Sequence, residues 1–318
     1  MDGKFFIAYL KDMCQVAPNT VRTYGYSLAW LAKRIEGFVV REGEGRTVVE
    51  IPTPEQVIDY MDRNKVGETR RMLSYTAMKV WHRCHGEEAE RKRYGAPLVD
   101  CKRCVDATYE KQQKSETETK NWVEQGCLKK YAAELRKRTY ALDKNQLFTK
   151  DQYAELQLGF MLTYLLKYPV RRDLATVQWT VPDEDDKTTN YLDGAVREVV
   201  YQKYKTSKHH GTIKHKLSRD MWRLLALIRK QQKMRKLDDG PILLSRYWRA
   251  MSPNAFGMWM KREMKKCPGC EDKSVGCMAV RKSVITHKRR GCMSFQKRQQ
   301  FAKECMHSAR QQEFYRKF

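Results

Sequence analysis

Apolar positions in the first third of the chain recur every three or four residues. Val21, Tyr24, Leu28, Leu31 and Ile35 form one stripe, and Phe6, Leu10 and Met13 form a shorter one. Positions at these steps share one face of an α-helix and predict amphipathic helices. Asn19 or Thr20 is placed to cap the longer helix, and Gly37 lies where it can stop. At Thr53-Pro54-Glu55-Gln56 a third helix begins, with Thr53 as N-cap, Pro54 in the first turn and Gln56 closing a capping box. Residues 72–81 read as a fourth helix. Gly43, Glu44 and Gly45 sit in a polar connection, and polar, charged stretches cover 87–93 and 110–120. The pattern is that of a small helical bundle with basic outer faces.

Thr149-Lys150-Asp151-Gln152 repeats the capping-box pattern and opens a helix with Tyr153, Leu156, Phe160 and Tyr164 on one face. Pro169 ends it, because proline disfavours helix at the preceding residue. Residues 198–204 and 212–217 read as strands flanking a basic turn at 207–211, a β-hairpin signal. A long helix over 220–234 follows, with Leu224, Leu225 and Ile228 inward, and the rest is mostly helical. The expected fold is mainly α with a small β-hairpin or sheet, in two domains. Residues 1–130 form a helical domain, 131–148 a linker, and 149–318 a mixed α/β domain.

Composition sharpens this picture. With 318 residues, 41% of them hydrophobic, the chain can build two packed cores, so its 32% of charged residues does not signal disorder. The net charge of +25 points to a polyanion, with nucleic acid ahead of an anionic membrane surface. The longest uncharged apolar stretch, 156–166, is eleven residues, and a span needs about 20. The N-terminus MDGKFFIAYLKD lacks the apolar core of a secretory signal, so an intracellular protein with reduced thiols is expected. Ten cysteines are too sparse for a disulfide scaffold.

The second half presents an ordered set of chemistry-bearing residues: Arg171 after a helix, Lys205 in the hairpin, Arg281, His307, and Tyr315 near the last residue. This set resembles the tyrosine recombinase and integrase family. Residues 5–34 look like that family's helical core-binding, DNA-clamp domain, and 153–318 like its catalytic domain. Tyr168-Pro169-Val170-Arg171 is similar to the box holding the first catalytic arginine. Asp173 follows one position earlier than the family's acid, which leaves Arg172 as an alternative. Tyr204-Lys205-Thr206 resembles the lysine site on the hairpin, with Lys203 and Lys208 as alternatives. Val280-Arg281-Lys282-Ser283 resembles the second arginine box, whose first position, a family histidine, is Met278 here. Met306-His307-Ser308 resembles the histidine box, and Tyr315 stands where the nucleophile belongs. Pro-x-Arg-Arg is also similar to recombinases of large DNA viruses and mobile elements.

The resemblance implies cleavage and rejoining of duplex DNA through a covalent 3′-phosphotyrosine, without metal, cofactor or ATP. Two arginines suit the charge that builds on non-bridging phosphate oxygens, because a guanidinium fork holds two oxygens and keeps its proton. A phenol with a pKa of about 10 needs that cationic surrounding to act as a nucleophile. The lysine is a general acid for the departing 5′ oxygen. A homotetramer on paired DNA sites with inverted half-sites is implied, and no membrane. Lys203 and Lys208 at the hairpin and Lys282, Arg289 and Arg290 are expected DNA contacts, the last three within a C-terminal stretch from Arg281 that carries eleven Lys and Arg against two Glu.

Two rival readings remain. Met278 permits a catalytically impaired DNA-binding protein on the same scaffold. The pairs Cys101/Cys104 and Cys267/Cys270 suggest a zinc-bearing DNA-binding protein or nuclease, but 163 positions separate them, far from zinc-ribbon spacing. Free thiols are the expectation.

Overall fold

The computed structural model describes every residue except Met1, Gln15, Glu44, Gly45, Asp238, Cys292 and Phe318, and it leaves out the side chains of 42–48 as well. The polar connection expected at 43–45 therefore lies largely outside the described residues. The chain forms two compact units, Met1–Lys111 and Gln112–Phe318.

The first unit comprises α1 (Gly3–Met13), α2 (Pro18–Ala32), a hairpin of β1 (Val39–Gly43) and β2 (Arg46–Glu50), α3 (Pro54–Arg63), α4 (Glu68–Cys84), α5 (Glu88–Arg93) and α6 (Gly95–Glu110). Its core is the predicted stripe: Phe6, Leu10, Val21, Leu28 and Leu31 are buried together with Val57, Met61, Met78 and Trp81. Full burial of one such aliphatic side chain is worth about 1.5–3 kcal/mol. The capping box at Thr53 and Gln56 forms as predicted. For α2, however, Pro18 takes the first turn after Ala17 and no side chain caps the end, in place of Asn19 or Thr20. Cys14 and Cys84 are joined by a disulfide, Cα–Cα 5.7 Å, which corrects the expectation that the thiols stay free.

The second unit contains α7 (Glu116–Lys120), α8 (Gln125–Ala141) and α9 (Lys150–Lys167). A 3-10 turn (Arg172–Thr176), β3 (Val177–Gln178), β4 (Asn190–Asp193) and β5 (Glu198–Tyr201) follow. The chain continues through α10 (Ser207–His210), β6 (Ile213–Lys216), α11 (Arg219–Lys233), α12 (Pro253–Met264), α13 (Cys277–Lys288), α14 (Phe295–Glu304) and α15 (Ala309–Tyr315). The sheet runs β3-β4-β5-β6, with β3 parallel to β4 and the others antiparallel. The predicted hairpin is β5 and β6, with α10 inside its loop.

The linker expected over 131–148 is replaced largely by α8. Leu128, Tyr131, Ala132 and Leu135 recur at helical steps and are buried in the core of this unit. Helices α8 and α9 approach closely at Gly159, where a Cβ would lie 3.3 Å from the Leu135 Cβ. The first unit accordingly ends near residue 111, ahead of the expected 130.

Candidate active site

Each part of the site is held by a local feature of the second unit. Helix α9 ends at Lys167, and Tyr168 and Val170 are buried in the turn that follows. The Tyr168 ring stacks on His215 of β6, with centroids 4.2 Å apart, and its hydroxyl donates to the Lys216 carbonyl at 3.0 Å. These contacts fix the segment that presents Arg171.

Arg171 and Arg172 separate at this point. Arg172 is exposed and turns to the start of α12, donating to Asn254 Oδ1 at 2.6 Å. Arg171 is half-buried and close enough to Tyr315 to lower the pKa of its phenol. Of the two, Arg171 is therefore the one on the side of Tyr315. Asp173 lies near both arginines, yet burial raises its pKa more than they lower it.

Arg281, on α13, has no exposed surface. Its Nη1 donates to the Pro169 carbonyl, and its Nη2 donates to the Cys305 carbonyl at 2.7 Å and meets His307 Nδ1 at 2.9 Å. A guanidinium only donates, so His307 Nδ1 accepts and the imidazole proton resides on Nε2. That Nε2 is buried and has no hydrogen-bond partner. Burial, then Arg281, Arg171 and His210, push the His307 pKa down to about 2, so the ring is neutral. The Arg281 guanidinium carbon stands 4.8 Å from the centre of the Tyr315 ring, and the His307 ring is 5.2 Å from it. Burial raises the Tyr315 pKa, but Arg281, Arg171 and Lys282 outweigh it and hold the phenol below its usual 10. Among the described residues neither Arg171 nor Arg281 forms an ion pair.

Arg171, Arg281, His307 and Tyr315 thus come together. Lys205 is exposed in the hairpin loop and touches none of them, but its neighbour Thr206 donates to the Met306 carbonyl at 3.0 Å and ties the loop to the His307 segment. Lys203 and Lys208 are also exposed. Met278 lies on α13 with 37% exposure. Three expected DNA contacts are engaged elsewhere: Lys282 pairs with Glu118, Arg290 lies 4.0 Å from Glu124, and Arg289 is buried against Glu313. The Arg289–Glu313 pair thus links the end of α13 to α15.

Asn190, which sequence reading passed over, sets the geometry of the loop. Its Oδ1 accepts from the amides of Gln202 and Lys203, both at 2.9 Å, and its Nδ2 donates to the Lys203 carbonyl and to Thr176 Oγ1, both at 2.8 Å. The available signal was a polar residue at a buried strand position.

The cysteine pairs belong to different units. Cys101 and Cys104 lie one turn apart on α6, and Cys267 and Cys270 are buried in the turn after α12. Among the described residues, no three His, Cys, Asp or Glu side chains gather as a metal site. Burial pushes the thiols of Cys101 and Cys267 up to about 12.

No family model matches the sequence, and no curated protein does. The fold is similar to that of the Tn1549 transposon integrase, solved in complex with transposon right-end DNA. The TM-score is 0.59 at 13% identity, over 99% of this chain and 95% of that one. XerA recombinase aligns over 98% of this chain and 92% of its own, at 11% identity and a TM-score of 0.40. The mainly helical chain with its small sheet has the tyrosine recombinase fold. No helix among the described residues is long and apolar enough to cross a membrane.

Proposed function

We propose that this protein is a site-specific DNA recombinase that cuts and rejoins duplex DNA through a 3′-phosphotyrosine at Tyr315, without metal or ATP. The observation that carries the reading is the buried Arg281. A guanidinium with no exposed surface and, among the described residues, no ion pair faces a phenol and an unpartnered His307 N–H. Burying a cation without an anion is costly, and a scissile phosphate supplies the missing partner.

In this reading Arg171 and Arg281 hold the non-bridging oxygens, and His307 Nε2 donates a further hydrogen bond. Tyr315 releases its phenolic proton to water and its oxygen attacks phosphorus, the bond to the 5′ oxygen breaks, and Lys205 gives that oxygen a proton, which it regains from water. Rejoining is the reverse, with the 5′ hydroxyl attacking the phosphotyrosine. One P–O bond replaces another, so no outside energy is needed. The net charge of +25 supports duplex DNA as the partner. Paired sites with inverted half-sites and a tetramer belong to the same proposal, as does an origin in a virus or mobile element.

The test uses a nicked duplex trap containing a sequence selected by affinity from a random pool. An SDS-resistant protein–DNA adduct, formed in a chelator and absent from Tyr315→Phe, is expected. Tight binding with no adduct would leave the impaired scaffold, with Met278 where the family has histidine. Adduct-free cleavage abolished by chelator would favour a nuclease.

A further inference from the structure

Helix α15 has seven residues and ends at Tyr315. A helix this short is not stable alone, so its position is set by what grips it. Its apolar contacts include those of Tyr315 with Ile285, Phe301 and Cys305. Other contacts are polar. Arg289 holds Glu313, and the Lys317 amide donates to Thr286 Oγ1 at 2.9 Å. The Lys317 side chain is 4% exposed, with its Nζ 3.3 Å from the Gln113 carbonyl and 3.8 Å from Glu118 Oε2.

Glu118 is shared. Its Oε1 takes the ammonium of Lys282, the residue after Arg281, while its Oε2 faces Lys317, two positions after Tyr315. A capping box presents it: the Ser115 amide donates to Glu118 Oε2 at 3.0 Å, and the Glu118 amide donates to Ser115 Oγ at 3.2 Å. One carboxylate on α7 therefore joins the helix bearing Arg281 to the segment that follows the tyrosine. Burial raises the Glu118 pKa, but the Lys282 hydrogen bond, the Ser115 amide and Lys317 outweigh it, so the group is ionised. For Lys317 burial lowers the pKa more than Glu118 raises it. A buried ion pair adds little net stability, but removing one partner leaves the burial of the other charge less well compensated and favours its exposure to water.

We infer that Glu118 is a positioning residue that seats the Tyr315 helix against Arg281 of its own chain, through Lys317 and Lys282. The inference rests on the reading of Tyr315 as the nucleophile, and it goes beyond that reading in assigning the tyrosine to its own subunit. Seating and chemistry are measured separately. Pulsed acetylation read by mass spectrometry reports Lys317 accessibility against exposed Lys205, with no activity required. Glu118→Gln is expected to raise Lys317 labelling about tenfold and to slow adduct formation at saturating DNA by about tenfold, with DNA affinity within about twofold of wild type. Glu118→Asp, which keeps the charge, is expected to restore most of both, as a merely space-filling role would not. Unchanged Lys317 labelling in Glu118→Gln overturns the proposal whatever the activity. If wild type forms no adduct, the recombinase reading fails while labelling still decides the seating. Mixing Tyr315→Phe with Arg171→Ala on one trap is expected to give no adduct, and recovery of adduct in the mixture would refute delivery within one chain.

Discussion

His215 allows a worked test of how the site is supported. It lies in β6 with no exposed surface, its Nδ1 is 2.6 Å from the Tyr164 hydroxyl, and its ring stacks on Tyr168. Burial, only partly opposed by the Glu304 carbonyl, takes its pKa from 6.5 down to about 4. The folded state therefore binds the proton more weakly than the unfolded chain does. Stability is full above about pH 6.5, falls as pH drops below that value, and stops falling for this group near pH 4. At pH 4.5 an unfolded imidazole is about 99% protonated and the folded one about one quarter, a difference of about 2.5 kcal/mol. His215→Phe keeps a ring against Tyr168 but cannot titrate. It costs about 1 kcal/mol at pH 7 through the lost bond to Tyr164. Its loss between pH 7 and pH 4.5 should nonetheless be smaller than the wild-type loss by about 2.5 kcal/mol. Urea unfolding of both proteins at both pH values gives this double difference, in which His307, the carboxylates and the first unit cancel. A difference below about 0.5 kcal/mol would refute a neutral, buried His215 holding the Arg171 turn to the sheet.

Three further outcomes are expected. Because Arg281, Arg171 and Lys282 outweigh burial and hold the Tyr315 phenol below 10, the adduct rate should rise with pH through a midpoint below 10. Arg171→Gln should move that midpoint upward, and single-turnover rates across pH check it; an unmoved midpoint would detach Arg171 from the tyrosine. Asn190→Ala strands the amides of Gln202 and Lys203 and should cost about 2–4 kcal/mol in urea unfolding. Reduction of the Cys14–Cys84 disulfide, which bridges a separation of 70 residues, should lower stability by up to about 4 kcal/mol in urea with and without dithiothreitol. The Cys14→Ser, Cys84→Ser double variant should show no response to reductant.

Local signals were legible where one rule acted alone. The capping boxes at Thr53 and Thr149 each began the helix they predicted, because three or four residues suffice to satisfy the orphan amides. A third box of the same kind, Ser115 to Glu118, was hidden inside a stretch read only as charged, and it carries the residue proposed to seat α15. The apparent linker over 131–148 misled because Lys and Arg crowd the exposed face of α8, whereas its buried face repeats with helical period. Charge counting did not foresee the partners of Lys282 and Arg289. Their sequence neighbours are basic, but their partners Glu118 and Glu313 come from other elements, and only the fold brings them together. The order of Arg171, Arg281, His307 and Tyr315 was visible, whereas the contact of Arg172 with Asn254, which turns that side chain away, was not.

The same two arginines face both the phenol and the place a phosphate would fill, and this sharing shapes the proposed chemistry. Without DNA, Arg171 and Arg281 stabilise the Tyr315 anion. Asp173, which feels both arginines, is disfavoured as an anion by burial and so offsets the cations only weakly. Neutral His307 adds no charge but fixes one fork of Arg281 and leaves Nε2–H to donate. When a phosphate arrives, its oxygens compete with the phenolate for the same donors. The ground state gives up part of the stabilisation of the tyrosine, and forming the bond to phosphorus returns it as charge moves onto oxygens that the arginines already hold. Interactions that strengthen along the reaction coordinate accelerate the step, whereas uniform ones do not. A site with separate cations for nucleophile and phosphate would bind both well and gain less in rate, so the buried, unpaired guanidinium is costly to the fold and useful to the reaction for the same physical reason.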